Sequence, residues 1–229
     1  VQKTARANYR ILPINWTTRP LRGADGIESR LSINVKPEYA DTLAEVFADL
    51  CKSDVKGFAQ CKFIEPAYHG ASSETGVLYL SEANPELAAN LSEKIHEMLL
   101  KKLGNNVSED NLYDIPPPGT QEIYLGIAYS EKPSIALKKN SSGMDRAHVV
   151  ASAAMEYVKN GKDSASSTLE QLKKKGYSTI NPAFAERPGD NIPSIKMRVN
   201  ILQSRTPSLA YPKNCITLQE LESFVIQFV

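Results

Sequence analysis

Four short segments of the chain alternate polar and apolar side chains: R-L-S-I-N-V at residues 30–35, A-Q-C-K-F-I at 59–64, G-V-L-Y-L-S at 76–81 and E-I-Y-L-G-I-A-Y at 122–129. Side chains in a strand point to opposite faces in turn, so Arg30, Ser32 and Asn34 share one face of the first segment and Leu31, Ile33 and Val35 the other. Segments of this kind commit the chain to a sheet. One face builds a core, and the other meets solvent, a ligand or a partner.

Between these segments the period changes. Beyond Pro37, the apolar residues Leu43, Val46, Phe47 and Leu50 recur at helical spacing and predict a helix packed on the apolar sheet face. Asn84 and Pro85 supply a cap and first turn for a longer helix with a stripe of Leu87, Leu91, Ile95, Met98 and Leu99. Lys101 and Lys102 suit its C-terminal dipole, and Gly104 ends it. His96 falls off that stripe and reads as a solvated helical histidine. The P-P-P-G run at 116–119 leads into the fourth segment, read as one strand.

The order strand, helix, strand, strand, helix, strand predicts an α+β fold with a central, largely antiparallel sheet flanked by helices. A parallel Rossmann arrangement is disfavoured. Further on, a polar loop at 138–143 precedes a helix holding Arg146, Val149, Val150, Ala153 and Tyr157. A second helix is expected over 167–175, capped by Ser166 or Ser167, with Leu169 and Leu172 inward. I-K-M-R-V at 195–199 alternates like a short strand. A closing helix at 218–228 presents Leu218, Leu221, Val225 and Phe228. With no repeat and no clear boundary, residues 1–229 read as a single domain, residues 1–28 forming an arm or short strand laid upon it.

Composition narrows the function classes. A formal charge of +1 over 229 residues lacks the basic excess of a nucleic-acid-binding domain. No run approaches the ~18 apolar residues of a membrane span. Cys51, Cys61 and Cys215 are too few and too scattered for a disulfide scaffold and point to a reducing compartment; Cys51 and Cys61 read as buried structural residues. His69, His96 and His148 lack metal-ligand spacing, so neither a metal nor a cofactor is expected. Walker A, G-x-G-x-x-G, G-x-S-x-G and H-E-x-x-H motifs are all missing, which removes support for nucleotide hydrolysis, dehydrogenation and zinc proteolysis.

What remains is the polar sheet face. Arg30, Lys62 and Tyr79 converge there if the strands pair in a suitable register, and a guanidinium, an ammonium and a phenol around one point suit a phosphate or carboxylate. A solvated sheet face, with Lys62 as a surface lysine, fits the same periodicity.

R-L-S-I-N-V-K-P at 30–37, K-F-I-E-P at 62–66 and S-S-G-M-D-R-A-H at 141–148 make the chain resemble the HopA family of type III secreted effectors of plant-pathogenic Pseudomonas. The resemblance spans nearly all 229 residues. It implies secretion by the type III system into the host cell cytoplasm or nucleus. It also implies an upstream segment, absent from a chain that begins at Val1, for secretion and for binding a cognate chaperone. The implied outcome is the hypersensitive response. The implied partner is a plant immune regulator of the enhanced disease susceptibility lipase-like type.

A more distant resemblance, to phosphothreonine lyases and the lyase domains of some lanthipeptide synthetases, implies chemistry. In such enzymes a lysine takes the α-proton, a histidine protonates the departing phosphate and arginines hold it. Lys62 resembles that lysine, Tyr79 a tyrosine on the next strand, and Arg146 a phosphate-binding arginine. The K-x-H of the lyase first strand reads Arg30-Leu31-Ser32 here, with Ser32 in place of the histidine. A serine hydroxyl does not titrate near neutrality, and losing the acid forfeits roughly 10²–10⁴-fold in rate. His69 or His148 would have to substitute in space. The implied reading is a binding effector, with a degenerate or altered phospho-amino-acid lyase as the alternative.

Overall fold

A computed structural model describes residues 9–13, 26–53, 55–64, 68, 70–104, 107, 109–117, 119–133, 142–161 and 163–205. Six strands form one sheet: β1 (Tyr9–Pro13), β2 (Ser29–Ile33), β3 (Phe58–Ile64), β4 (Gly76–Leu80), β5 (Gln121–Tyr124) and β6 (Ile127–Glu131). Their spatial order is β1-β3-β4-β2-β6-β5, and every pairing is antiparallel. The helices are α1 (Ala40–Lys52), α2 (Pro85–Leu103), the single turn α3 (Glu109–Leu112), α4 (Ser142–Asn160), α5 (Ser164–Lys174) and α6 (Ile192–Gln203). The α+β class expected from the sequence is the class observed.

Helices α1 and α2 form where their stripes foretell. Pro37–Tyr39 makes a 3-10 turn leading into α1, which buries Leu43, Val46, Phe47 and Leu50. The Asn84 side chain accepts from the Glu86 and Leu87 amides and caps α2, which buries Leu91, Ile95 and Leu99. These side chains meet Leu31, Ile33, Cys61, Phe63, Leu78, Ile127 and Tyr129 from the sheet in one core. The helical layer therefore covers the odd-numbered face of β2, and Arg30 and Ser32 point to the other side.

Four expectations are corrected. Residues 122–129 are a hairpin, β5 and β6, rather than one strand. Gly126 turns it with φ +70°, in a place where a Cβ would lie 2.5 Å from Tyr113 Cβ and 2.7 Å from the Asn34 carbonyl oxygen. Residues 195–199 are helical: Asn191 and Ser194 form a capping box around Pro193, and Ile195, Val199 and Leu202 are buried at spacings of four and three. The cap of α5 is Asp163, accepting from the Ser166 amide at 2.8 Å, so the helix starts at Ser164. His96 is buried rather than solvated, 5% exposed, with Nδ1 2.9 Å from the Tyr113 hydroxyl and its ring stacked 4.9 Å from that of Tyr124. Of the expected arm, the structure describes β1 and residues 26–28; residues 218–228 lie outside the described residues.

A second polar cluster lies on the helical side. Glu131 is fully buried and accepts from Arg187 at 2.9 Å, Arg198 at 3.3 Å, the Tyr129 hydroxyl at 3.2 Å and the Ala185 amide at 3.0 Å. Arg198 also reaches Asp190 at 2.6 Å and lies 4.6 Å over the Phe184 ring. Strand β6 is thereby tied to both the 181–190 segment and α6.

Candidate functional site

Strand register decides which polar side chains share a neighbourhood. Arg30 on β2 lies opposite Tyr79 on β4 and Ser130 on β6, while Gln60 on β3 continues the same row beyond Tyr79. The next row is Lys62, Val77, Ser32 and Ala128. At the ~4.8 Å spacing of neighbouring strands, Lys62 and Ser32 are about 10 Å apart at the backbone. Arg30, Ser32, Lys62 and Tyr79 thus lie on one face, as the alternation requires.

Arg30 and Ser32 are both held by an internal carboxylate. Arg30 is 5% exposed; its Nε donates to Ser130 Oγ at 3.2 Å and its Nη2 pairs with Glu74 Oε1 at 3.2 Å. Ser32 is fully buried, and its hydroxyl donates to the same Glu74 oxygen at 2.7 Å. Glu74 comes from the loop before β4, whose next residue, Thr75, lies 3.1 Å from Asn34 Oδ1 and 2.9 Å from the Val35 carbonyl oxygen. The guanidinium that would grip a phosphate is thus paired with a carboxylate, whose charge opposes that of an arriving anion.

Lys62 packs over Tyr79, the β4 residue opposite Arg30. The Lys62 ammonium sits 5.4 Å from the centroid of the Tyr79 ring, within cation–π range, and both residues are half-buried. Arg146 lies in the first half of α4, and its side chain is outside the described part. His148 is exposed on the same helix, and His69 lies outside the described residues. His96 belongs to α2, on the opposite side of the sheet from Ser32, and cannot serve it.

Glu74 and Ser130 were not among the residues singled out in the sequence. Ser130 extends the alternation of the fourth segment by one residue and could have been found by carrying the period further. Glu74 sits in the S-S-E-T-G run at 72–76, more than 40 positions from its partners, and carries no local signal. Among the described residues, no group of three or more His, Cys, Asp or Glu could hold a metal ion. No helix among them is long and apolar enough to cross a membrane.

The fold has solved counterparts among bacterial effectors. An effector structure from Pseudomonas syringae pv. tomato strain DC3000 matches with a TM-score of 0.53 and 26% identity, covering 71% of this chain and 58% of that one. A second, from Pseudomonas syringae pv. syringae strain 61, matches with a TM-score of 0.57 and 21% identity, covering 80% and 77%. The type III effector and phosphothreonine lyase OspF from Shigella flexneri superposes only at a TM-score of 0.29, with 13% identity over 48% of this chain and 60% of that one, too loosely to bear on chemistry. None of the curated protein sequences matches the chain.

Fold and matches together define the class: a type III effector, a protein secreted by bacteria into host cells. Residues 15–184 match the HopA1 effector protein family, and the chain belongs to that family.

Proposed function

We propose that this effector works inside the host cell by binding rather than by eliminating phosphate. The partner class is a plant immune regulator of the enhanced disease susceptibility lipase-like type, met in the cytoplasm or nucleus, with the hypersensitive response as the outcome. A cognate secretion chaperone would engage an upstream segment beforehand. One observation carries the preference: the Glu74 carboxylate holds both the Arg30 guanidinium and the Ser32 hydroxyl. The two positions that match the lyase first strand are thereby committed to an internal contact. The family resemblance supplies the partner class.

The test is recovery of the regulator with the effector from plant tissue undergoing the cell-death response. Co-purification that Lys62→Ala leaves intact supports binding; cell death without any recovered regulator of this type overturns it.

A phospho-amino-acid lyase is the second reading, favoured by the register that puts Arg30, Lys62 and Tyr79 on one face. It requires a phosphothreonine peptide to lose phosphate in the presence of the effector, and Lys62→Ala to abolish that loss. An unchanged peptide mass removes it.

A further inference from the structure

Cys51 lies in the last turn of α1 and Cys61 in the middle of β3, and their sulfur atoms are 3.5 Å apart. They are not joined in a disulfide. Cys61 is fully buried and Cys51 is 7% exposed. Register fixes the direction of Cys61, which stands opposite Leu78 on the core face, where Leu50 and Leu78 pack in the same cluster. Two rigid elements therefore hold the thiols together before any reaction. A disulfide bond of ~2.05 Å is reached by drawing the sulfurs together through about 1.5 Å.

We propose that Cys51 and Cys61 are a redox-responsive pair that a small peroxide closes into a disulfide, stapling α1 to β3. The contact between the thiols holds the Cys51 thiol below its ordinary pKa, while the same contact and burial push Cys61 up. Cys51, the less buried residue of the two, is then the attacking thiolate. It forms a bond to one oxygen of hydrogen peroxide as the O–O bond breaks; the departing hydroxide takes a proton to become water, and Cys51 becomes a sulfenic acid. The Cys61 sulfur next attacks Cys51 Sγ, the S–O bond breaks, and the hydroxyl leaves with the Cys61 proton as a second water. In sum, two thiols and one peroxide give one disulfide and two waters.

The staple joins residues ten positions apart. Closing a loop of that size raises the folded-to-unfolded ratio by ~100-fold, equivalent to a rise of roughly 5–10 °C in the unfolding midpoint for a chain of this length.

The experiment treats the Cys215→Ser chain with stoichiometric hydrogen peroxide and follows intact mass, an unreduced peptide map and the thermal midpoint. The expected result is a loss of two hydrogens, a cross-linked peptide carrying Cys51 and Cys61, and a raised midpoint that dithiothreitol reverses. Oxygen adducts without a cross-link, a cross-link between two copies, or an unchanged mass each overturn the proposal. Cys51→Ala and Cys61→Ala chains should form no cross-link; because the decisive comparison is between oxidised and reduced forms of one chain, it stands even where such a variant folds poorly.

Discussion

Glu74 and Arg30, 44 positions apart, meet at 3.2 Å on the face of the sheet that the helices α1 and α2 leave uncovered, and the pair is mostly buried. Removing one partner of such a pair strands the other charge, at a cost of ~3–5 kcal/mol. Glu74→Ala is expected to lower stability by that order, measured by urea unfolding. It should also open an anion site. Phosphate should raise the melting temperature of Glu74→Ala and leave the parent chain unmoved, which thermal melts with and without phosphate would show.

Glu131 provides a contrast between two arginines. Arg198 has 7% of its side chain exposed, whereas Arg187 has 42%. Arg198→Ala deprives a fully buried carboxylate of a buried guanidinium and removes the cover over Phe184, and should cost ~3–5 kcal/mol. Arg187→Ala lets water replace the lost donor and should cost about 1 kcal/mol. Denaturant midpoints of the two variants check the order; equal losses would contradict it.

Gly126 turns the β5–β6 hairpin where a side chain has neither a relaxed backbone nor room. Gly126→Ala should destabilise by at least ~1–3 kcal/mol from the backbone alone, with more from crowding Tyr113. A substitution tolerated without change in midpoint would refute this account of the turn.

A surface clip sets an acid dependence. The Lys102 ammonium, 3.1 Å from Asp49 and 3.2 Å from Glu45, holds the Asp49 carboxyl below its ordinary value of 3.8. The folded-state value lies below the unfolded one, so the contribution is present above about pH 4 and fades as pH falls through the lowered value. The urea midpoints of the parent chain and Asp49→Asn should therefore differ at pH 6 and converge in stronger acid. A gap that widens on acidification would reverse the sign.

The sequence carried the helical layer well because α1 and α2 have unbroken stripes and clear punctuation at Pro37, Asn84 and Gly104. It misled at 195–199, where Ile195, Met197 and Val199 alternate; the winning signal was the Asn191 and Ser194 box around Pro193, which organises a first turn. The hairpin was hidden because the alternation of Ile123, Leu125, Ile127 and Tyr129 runs through Gly126 without a break. His96 looked solvated because its partners, Tyr113 and Tyr124, come from outside the helix. Of the candidate site, the shared face of Arg30, Lys62 and Tyr79 was legible, since strand period alone sorts faces. The paired carboxylate was not, because a loop that folds back over 40 positions leaves no trace in local pattern.

Strand β1 has a consequence for handling the chain. It is the outermost strand beside β3, the seven-residue F-A-Q-C-K-F-I segment. Trimming residues 9–13 would bare a row of amides and carbonyls along an apolar strand, a template for adding a strand from another molecule. Strand β1 thus covers the edge of β3, and chains trimmed past residue 13 should self-associate more readily than chains that keep residues 9–13, which light scattering would show.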